Sequence, residues 1–126
     1  MTDDLVTWFR QQLDEDERLA QAAGGTSWVA RGHLAHVSTW SRGVQAKWCE
    51  ILAEVEYVGP TAQTESMDHA AHIVRHDPAR VLAEVAAKRA VIDLLEELNE
   101  LGLYEAVQFL ALPYADRPGY REEWKP

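Results

Sequence analysis

Three histidines, His69, His72 and His76, stand at three- and four-residue spacing in the middle of the chain. On a helix they fall within roughly 60° of one another, because each residue turns the helix by about 100°. Imidazoles at i and i+4 can share one Zn²⁺, as paired histidines do on metalloprotease helices. The residues between His72 and His76 are Ile-Val-Arg, so no glutamate stands where such an enzyme carries its general base. One expectation is therefore a metal or small-ligand site on the His69/His72/His76 face, with Zn²⁺ as the candidate cofactor. Asp68, His33, His36 and Cys49 could complete its shell. In the competing reading, His72 and His76 bond to backbone or carboxylate groups and orient a junction, with His69 exposed.

Other chemistry finds less support. A nucleophilic Cys49 needs a histidine beside it and an electropositive setting. It sits between Trp48 and Glu50, which suits a buried, inert thiol. No Gly-rich phosphate loop, Gly-x-Ser-x-Gly or Cys-x-x-Cys occurs. Arg75, Arg80, Arg117 and Arg121, with Tyr114 and Tyr120 nearby, could form a recognition surface. The preferred reading is that they pair with the chain's excess carboxylates within the fold. No catalytic residues are identified, and the chain is read as leaning away from an enzyme.

Composition narrows the class. The chain has 126 residues, 47% hydrophobic, enough for a single domain spanning 1–126 with a real core. No apolar run approaches the roughly 18 residues that span a membrane, and the first residues are acidic. The single cysteine cannot form an intrachain disulfide. Together these features predict a soluble, cytoplasmic protein. The net charge of −9 argues against direct contact with nucleic acid or membrane and leaves a basic protein as a suitable partner.

The fold class expected is α+β, predominantly helical. Leu5, Trp8, Phe9, Leu13 and Ala20 recur at helical steps, predicting a helix from Thr2 to about Ala23. Thr2 can cap it, Asp3 and Asp4 suit its first turn, and Gly24-Gly25 stop it. The run Asp14-Glu15-Asp16-Glu17 is either a solvated face or an acidic docking patch. In the middle, Ser27–Arg31 and Ile51–Tyr57 look like strands closed by Gly32 and Gly59-Pro60. Yet Leu34, Val37, Trp40, Val44, Trp48 and Ile51 step like a helix, interrupted by Ser41-Arg42-Gly43, which would suit a hairpin turn. A small antiparallel sheet and a helix compete for residues 33–56, with the sheet preferred.

A polar loop, Thr61 to Ser66, leads to a short helix ending at His76. Asp77 precedes a proline, so it favours the extended conformation of an N-cap, and Pro78 suits the first helical position. The longest helix should start here and run to Leu101, where Gly102 stops it. Arg80, Glu84 and Lys88 form an i, i+4 ladder, and Arg89 and Asp93 a second pair. The apolar stripe of this helix shifts: Val81, Leu82, Val85 and Ile92 set it early, then Val91, Leu94, Leu95, Leu98 and Leu101. The displacement is about a third of a turn, so two partners are needed. The later face is a candidate interaction surface, either covered by the C-terminal segment or pairing two copies as antiparallel helices. In that homodimer, Lys88 or Arg89 would approach the Glu96–Glu100 cluster. A short helix with Tyr104, Val107, Leu110 and Ala111 should end at Pro113. The aromatic tail beyond it should dock on the body, and the five tryptophans suit one shared core.

Two motifs carry a resemblance. They are His72-Ile-Val-Arg-His76-Asp77-Pro78-Ala-Arg80-Val-Leu and Leu110-Ala-Leu-Pro113-Tyr114-Ala-Asp116-Arg-Pro118-Gly-Tyr120-Arg121-Glu-Glu123-Trp124-Lys-Pro126. With the opening Asp4-Leu5-Val and Leu13-Asp14-Glu15-Asp16-Glu17, they resemble a family of small proteins, a domain of unknown function, from actinobacteria and their phages. The resemblance covers the first 23 residues and roughly the last 60, and is loose between. It implies an origin and a structured tail, not a reaction.

Three functions follow as expectations. The first is a small acidic interaction protein that binds another protein, host or basic in character. The second is a metal- or small-ligand-binding protein using the histidine face. The third is an acidic mimic of nucleic acid.

Overall fold

The computed structural model describes residues 2–36, 45–53, 62–64, 66–98 and 102–126, most of the two long strands through their backbone alone. The elements are α1 (Thr2–Ala22), β1 (Trp28–His36), β2 (Gln45–Ala53), β3 (Ala62–Thr64), α2 (Met67–Arg75), α3 (Pro78–Glu97) and α4 (Leu103–Ala111). Short 3₁₀ turns follow at Leu112–Tyr114 and Glu122–Trp124. The chain divides into two compact units, Met1–Leu19 with Leu82–Pro126, and Ala20–Val81. The fold is α+β and predominantly helical. Among the described residues, no helix is long and apolar enough to cross a membrane.

The stop of α1 is local chemistry. Gly25 N–H donates to Ala20 O and Gly24 N–H to Gln21 O, both at 2.9 Å. These 6→1 and 5→2 bonds satisfy carbonyls that the last turn leaves open. They need a left-handed residue, and Gly24 has φ 101°. At the other end Thr2 is the first helical residue rather than the cap.

In the second unit β1 and β2 form an antiparallel ladder from Trp28↔Ala53 to His36↔Gln45. β3 adds to the free edge of β2 through Cys49↔Thr64 and Ile51↔Ala62. The strand reading therefore holds for residues 33–36 and 45–53, where helical spacing of Leu34, Trp48 and Ile51 competed with it. The ladder bonds the facing backbone groups of the two strands to each other, which spacing alone cannot register. β1 continues through Gly32, which pairs with Cys49 instead of closing the strand. Residues 62–64, expected as loop, are a strand. The turn at Ser41-Arg42-Gly43, the end of the expected strand at Tyr57 and the pair Gly59-Pro60 lie outside the described residues.

α2 starts where Ser66 Oγ accepts from Asp68 N–H at 3.0 Å, a side-chain cap. Ala70 of α2 is buried with Ile51, and Trp28, Ile73 and Val74 pack around them. α3 begins at Pro78 as expected. Asp77 Oδ1 accepts from Arg80 N–H at 2.8 Å, and the Asp77 carbonyl accepts from Val81 N–H at 3.0 Å. The other oxygen, Oδ2, accepts from Trp28 N–H at 2.9 Å. One carboxylate, only 7% exposed, thus caps a helix and holds the start of β1.

Two expectations about α3 are corrected. It ends at Glu97, not Leu101, and α1 is the longer helix by one residue, 21 against 20. Gly102, with φ −83°, caps the start of α4 instead of closing α3 in a left-handed turn. Residues 99–101 lie outside the description.

In the first unit, Leu5, Trp8, Phe9 and Leu13 of α1 are buried, as are Val85 and Ile92 of α3, Val107 and Ala111 of α4, and Tyr114 and Trp124. Trp8, Tyr120 and Trp124 pack with ring centroids 5.4–5.7 Å apart, and Phe9 meets Tyr114 edge-on at 5.3 Å. Trp28 belongs to the core around Ile51 instead. The described tryptophans are thus divided between two cores, against the single shared one expected.

Candidate interaction surface and histidine face

The later face of α3 is where expectation and structure meet most directly. Val91, Leu94 and Leu98 fall within roughly 60° on the helix. They are 42%, 54% and 57% exposed. Leu95, one step around, is half-buried, and Leu101 lies outside the described residues. The earlier apolar positions Val85 and Ile92 are buried about a third of a turn away. The C-terminal segment, expected as a possible cover, leaves the outer stripe open. The stripe runs about 10 Å along the helix. Glu97, exposed, borders it on one side.

The cations that would serve an antiparallel pairing are otherwise engaged. Arg89 binds Asp14 at 2.5 Å and Glu17 at 2.7 Å on α1. Its guanidinium is held above its ordinary pKa, first by the hydrogen bond to Glu17 and then by that to Asp14. Lys88 Nζ donates to Tyr114 Oη at 2.8 Å and lies 3.9 Å from Glu84. Glu96 and Asp93 both bind Arg10, at 3.0 and 2.7 Å, and Asp93 is the larger cause of the raised Arg10 pKa. The expected Arg89–Asp93 pair is therefore not made: each side chain reaches across to α1. A link between elements outcompetes the i, i+4 neighbour, whose contribution on an isolated helix is only about 0.2–0.5 kcal/mol.

Each carboxylate of the acidic run meets an arginine of the same unit. Asp14 and Glu17 hold Arg89, Glu15 holds Arg18 at 2.6 Å, and Asp16 holds Arg117 at 2.8 Å. Arg117 also lies over the Tyr114 ring at 4.4 Å, and Arg121 pairs with Asp4 at 3.3 Å beside Trp124. Arg117 and Arg121 thus brace the tail onto α1, as the pairing reading expected. A recess of about 240 Å³ beside them is lined by Asp3, Thr7, Gln11 and the two indoles Trp8 and Trp124.

The histidines lie on α2 and its end. His69, His72 and His76 are all exposed. His72 and His76 are adjacent, with ring centroids 4.7 Å apart and planes inclined at 51°. Among the described residues, no group of three or more histidine, cysteine or carboxylate side chains is placed to hold a metal ion. The three-histidine set therefore reduces to a pair. Asp68 is exposed and gives its backbone N–H to the α2 cap. The side chains of His33, His36 and Cys49 lie outside the description.

The sequence alone missed the double role of Asp77. Its dipeptide with Pro78 announces the cap, but nothing local announces Trp28, 49 residues away.

Comparison with known proteins gives one match. The chain belongs to the family of unknown function DUF6221, which it matches over residues 2–126, so the relationship includes the middle segment as well as both ends. No curated protein and no solved structure matches it.

Proposed function

We propose that this member of DUF6221 acts by binding another protein through the outer stripe of α3, with Val91, Leu94 and Leu98 as its centre and Leu95 beside them. One observation carries the reading: Leu94 and Leu98 are more than half exposed on one helical face. Contiguous apolar surface on an ordered helix is costly to leave in water, and an apolar groove in a partner removes that cost. Glu97 at its border and the net charge of −9 favour a partner segment that is amphipathic and basic. Engagement of Lys88 and Arg89 within their own unit weighs against antiparallel self-pairing. A nucleic-acid mimic has less support, because Asp14, Asp16 and Glu17 serve arginines of the same unit. An actinobacterial or phage setting rests on the motif resemblance alone.

The test compares wild type with a Leu94→Glu/Leu98→Glu variant in affinity capture, followed by titration of the purified partner. The expected result is a basic partner whose affinity falls with added salt. The variant should lose at least about tenfold, the equivalent of 1.4 kcal/mol, at an unchanged melting temperature. Equal binding by the variant overturns the reading. Light scattering identifies the remaining occupant: a wild-type dimer abolished by Leu98→Glu replaces the foreign partner with a second copy.

A further inference from the structure

We infer that His72 and His76, without His69, form a two-ligand site for a divalent transition-metal ion of the Zn²⁺ class. This site lies on α2 in the second unit and is independent of the α3 stripe. Both imidazoles are exposed, so each can present a ring nitrogen to an ion without opening the core. Their centroids are 4.7 Å apart. Two nitrogens bound to one Zn²⁺ at about 2.0–2.1 Å stand roughly 3.4 Å apart in a tetrahedral shell. Exposed imidazoles four residues apart on a helix have the spacing at which paired histidines share one Zn²⁺.

The backbone around the pair also suits a cation. His76 is the C-cap of α2, and its N–H donates to the carbonyls of Ile73 and Val74. The end of a helix carries partial negative charge, which favours a positive ion within the last turn. Arg75 lies between the two histidines in sequence and is exposed, so its charged head can remain in water. Asp77 is the nearest carboxylate in sequence, but both its oxygens are held by backbone N–H groups of Trp28 and Arg80. It orders the junction after the site and does not serve as a ligand. The described residues supply no third ligand. Two coordination positions stay open to water or to a donor from another molecule, which makes this an exchangeable site, not the closed four-ligand type. Imidazole donors select Zn²⁺, Cu²⁺ and Ni²⁺ over Mg²⁺ or Ca²⁺.

The test is calorimetric titration of Zn²⁺ alone into protein freed of any histidine tag, with imidazole proton resonances followed in parallel. One saturable event is expected, with the His72 and His76 signals moving together. The second ligand of a chelating pair acts at high effective concentration, so His72→Ala and His76→Ala should each weaken binding on the order of a hundredfold. His69→Ala should leave it unchanged. Circular dichroism checks that each variant keeps its helices. The inference is overturned if wild type takes up no Zn²⁺, if either single variant binds as wild type does, or if His69→Ala loses as much as the other two.

Discussion

The C-terminal tail and the outer face of α3 belong to the same unit, carry comparable apolar side chains, and end in opposite environments. Trp124 is 2% exposed, while Leu98 is 57% exposed. The tail has little regular structure, so its burial rests on particular contacts. Trp124 and Tyr120 pack on Trp8, and Trp8 Nε1 donates to Pro118 O at 3.1 Å. Arg117 and Arg121 reach carboxylates of α1. The α3 stripe has the more regular backbone and a longer apolar run, yet nothing described covers it. Apolar content alone therefore does not tell a docked segment from an open one. What separates them is the presence of specific partners. The tail meets the Trp8 ring and its N–H and the carboxylates of Asp4 and Asp16, even though Trp124 Nε1 and Tyr120 Oη find no partner among the described residues. Nothing described meets Leu94 and Leu98.

The largest expected effect comes from removing the tail's anchor. Trp124→Ala should cost about 3–5 kcal/mol, and truncation after Pro113 at least as much, read by denaturant unfolding. Trp124 Nε1 is buried without an acceptor among the described residues. Trp124→Phe should therefore cost much less, since it keeps most of the apolar area and removes an unpaired donor. An unchanged midpoint after truncation would make the tail an appendage and abolish the contrast with α3.

Next comes Asp77→Ala, which takes the comparison to the second unit, where a polar group and not an aromatic joins distant segments. Loss of the cap costs about 1 kcal/mol. Leaving the Trp28 N–H unpaired adds about 1–3 kcal/mol. A total of about 2–4 kcal/mol is expected; a loss of only about 1 kcal/mol would show that the Trp28 bond contributes nothing. Gly119→Ala should cost about 1–2 kcal/mol. Gly119 has φ 89°, and a Cβ there would stand 2.8 Å from Trp8 Nε1. An unaltered melting curve would mean that the tail seats on Trp8 without this turn. The smallest effect belongs to Leu98→Glu, expected within about 0.5 kcal/mol of wild type in unfolding free energy. A loss of 2 kcal/mol or more would mean the stripe is covered, and the two regions would no longer differ.

Much of the architecture is legible along the chain because its signals are local. The first helix announces its buried face through Leu5, Trp8, Phe9 and Leu13, and its end through Gly24-Gly25. Ser66 and Asp77 cap the helices that follow them through bonds spanning two or three residues. The candidate surface is legible in part. The shift of the apolar stripe along α3 is a matter of helical period, and it separates the buried Val85 and Ile92 from the exposed Leu94 and Leu98. The middle of the chain was ambiguous because strand pairing is not written in the period of either strand. Trp48 and Ile51 fit helical steps, while in the sheet they stand opposite His33 and Ala30 of the neighbouring strand.

The local chemistry of the chain established the starts of α2 and α3 and the end of α1, though not the end of α3 at Glu97, since caps, prolines and left-handed glycines act within one turn of the residue that carries them. The sequence by itself also determined the excess of carboxylates and the existence of two apolar faces on one helix. Which partner each group takes is settled by tertiary packing. Arg89 turns to Asp14 and Glu17 instead of Asp93, Asp77 reaches Trp28, and the His72 ring lies beside that of His76. A side chain with several chemically adequate partners is assigned by which of them the fold brings within hydrogen-bond reach, and that distance is set by packing many residues away.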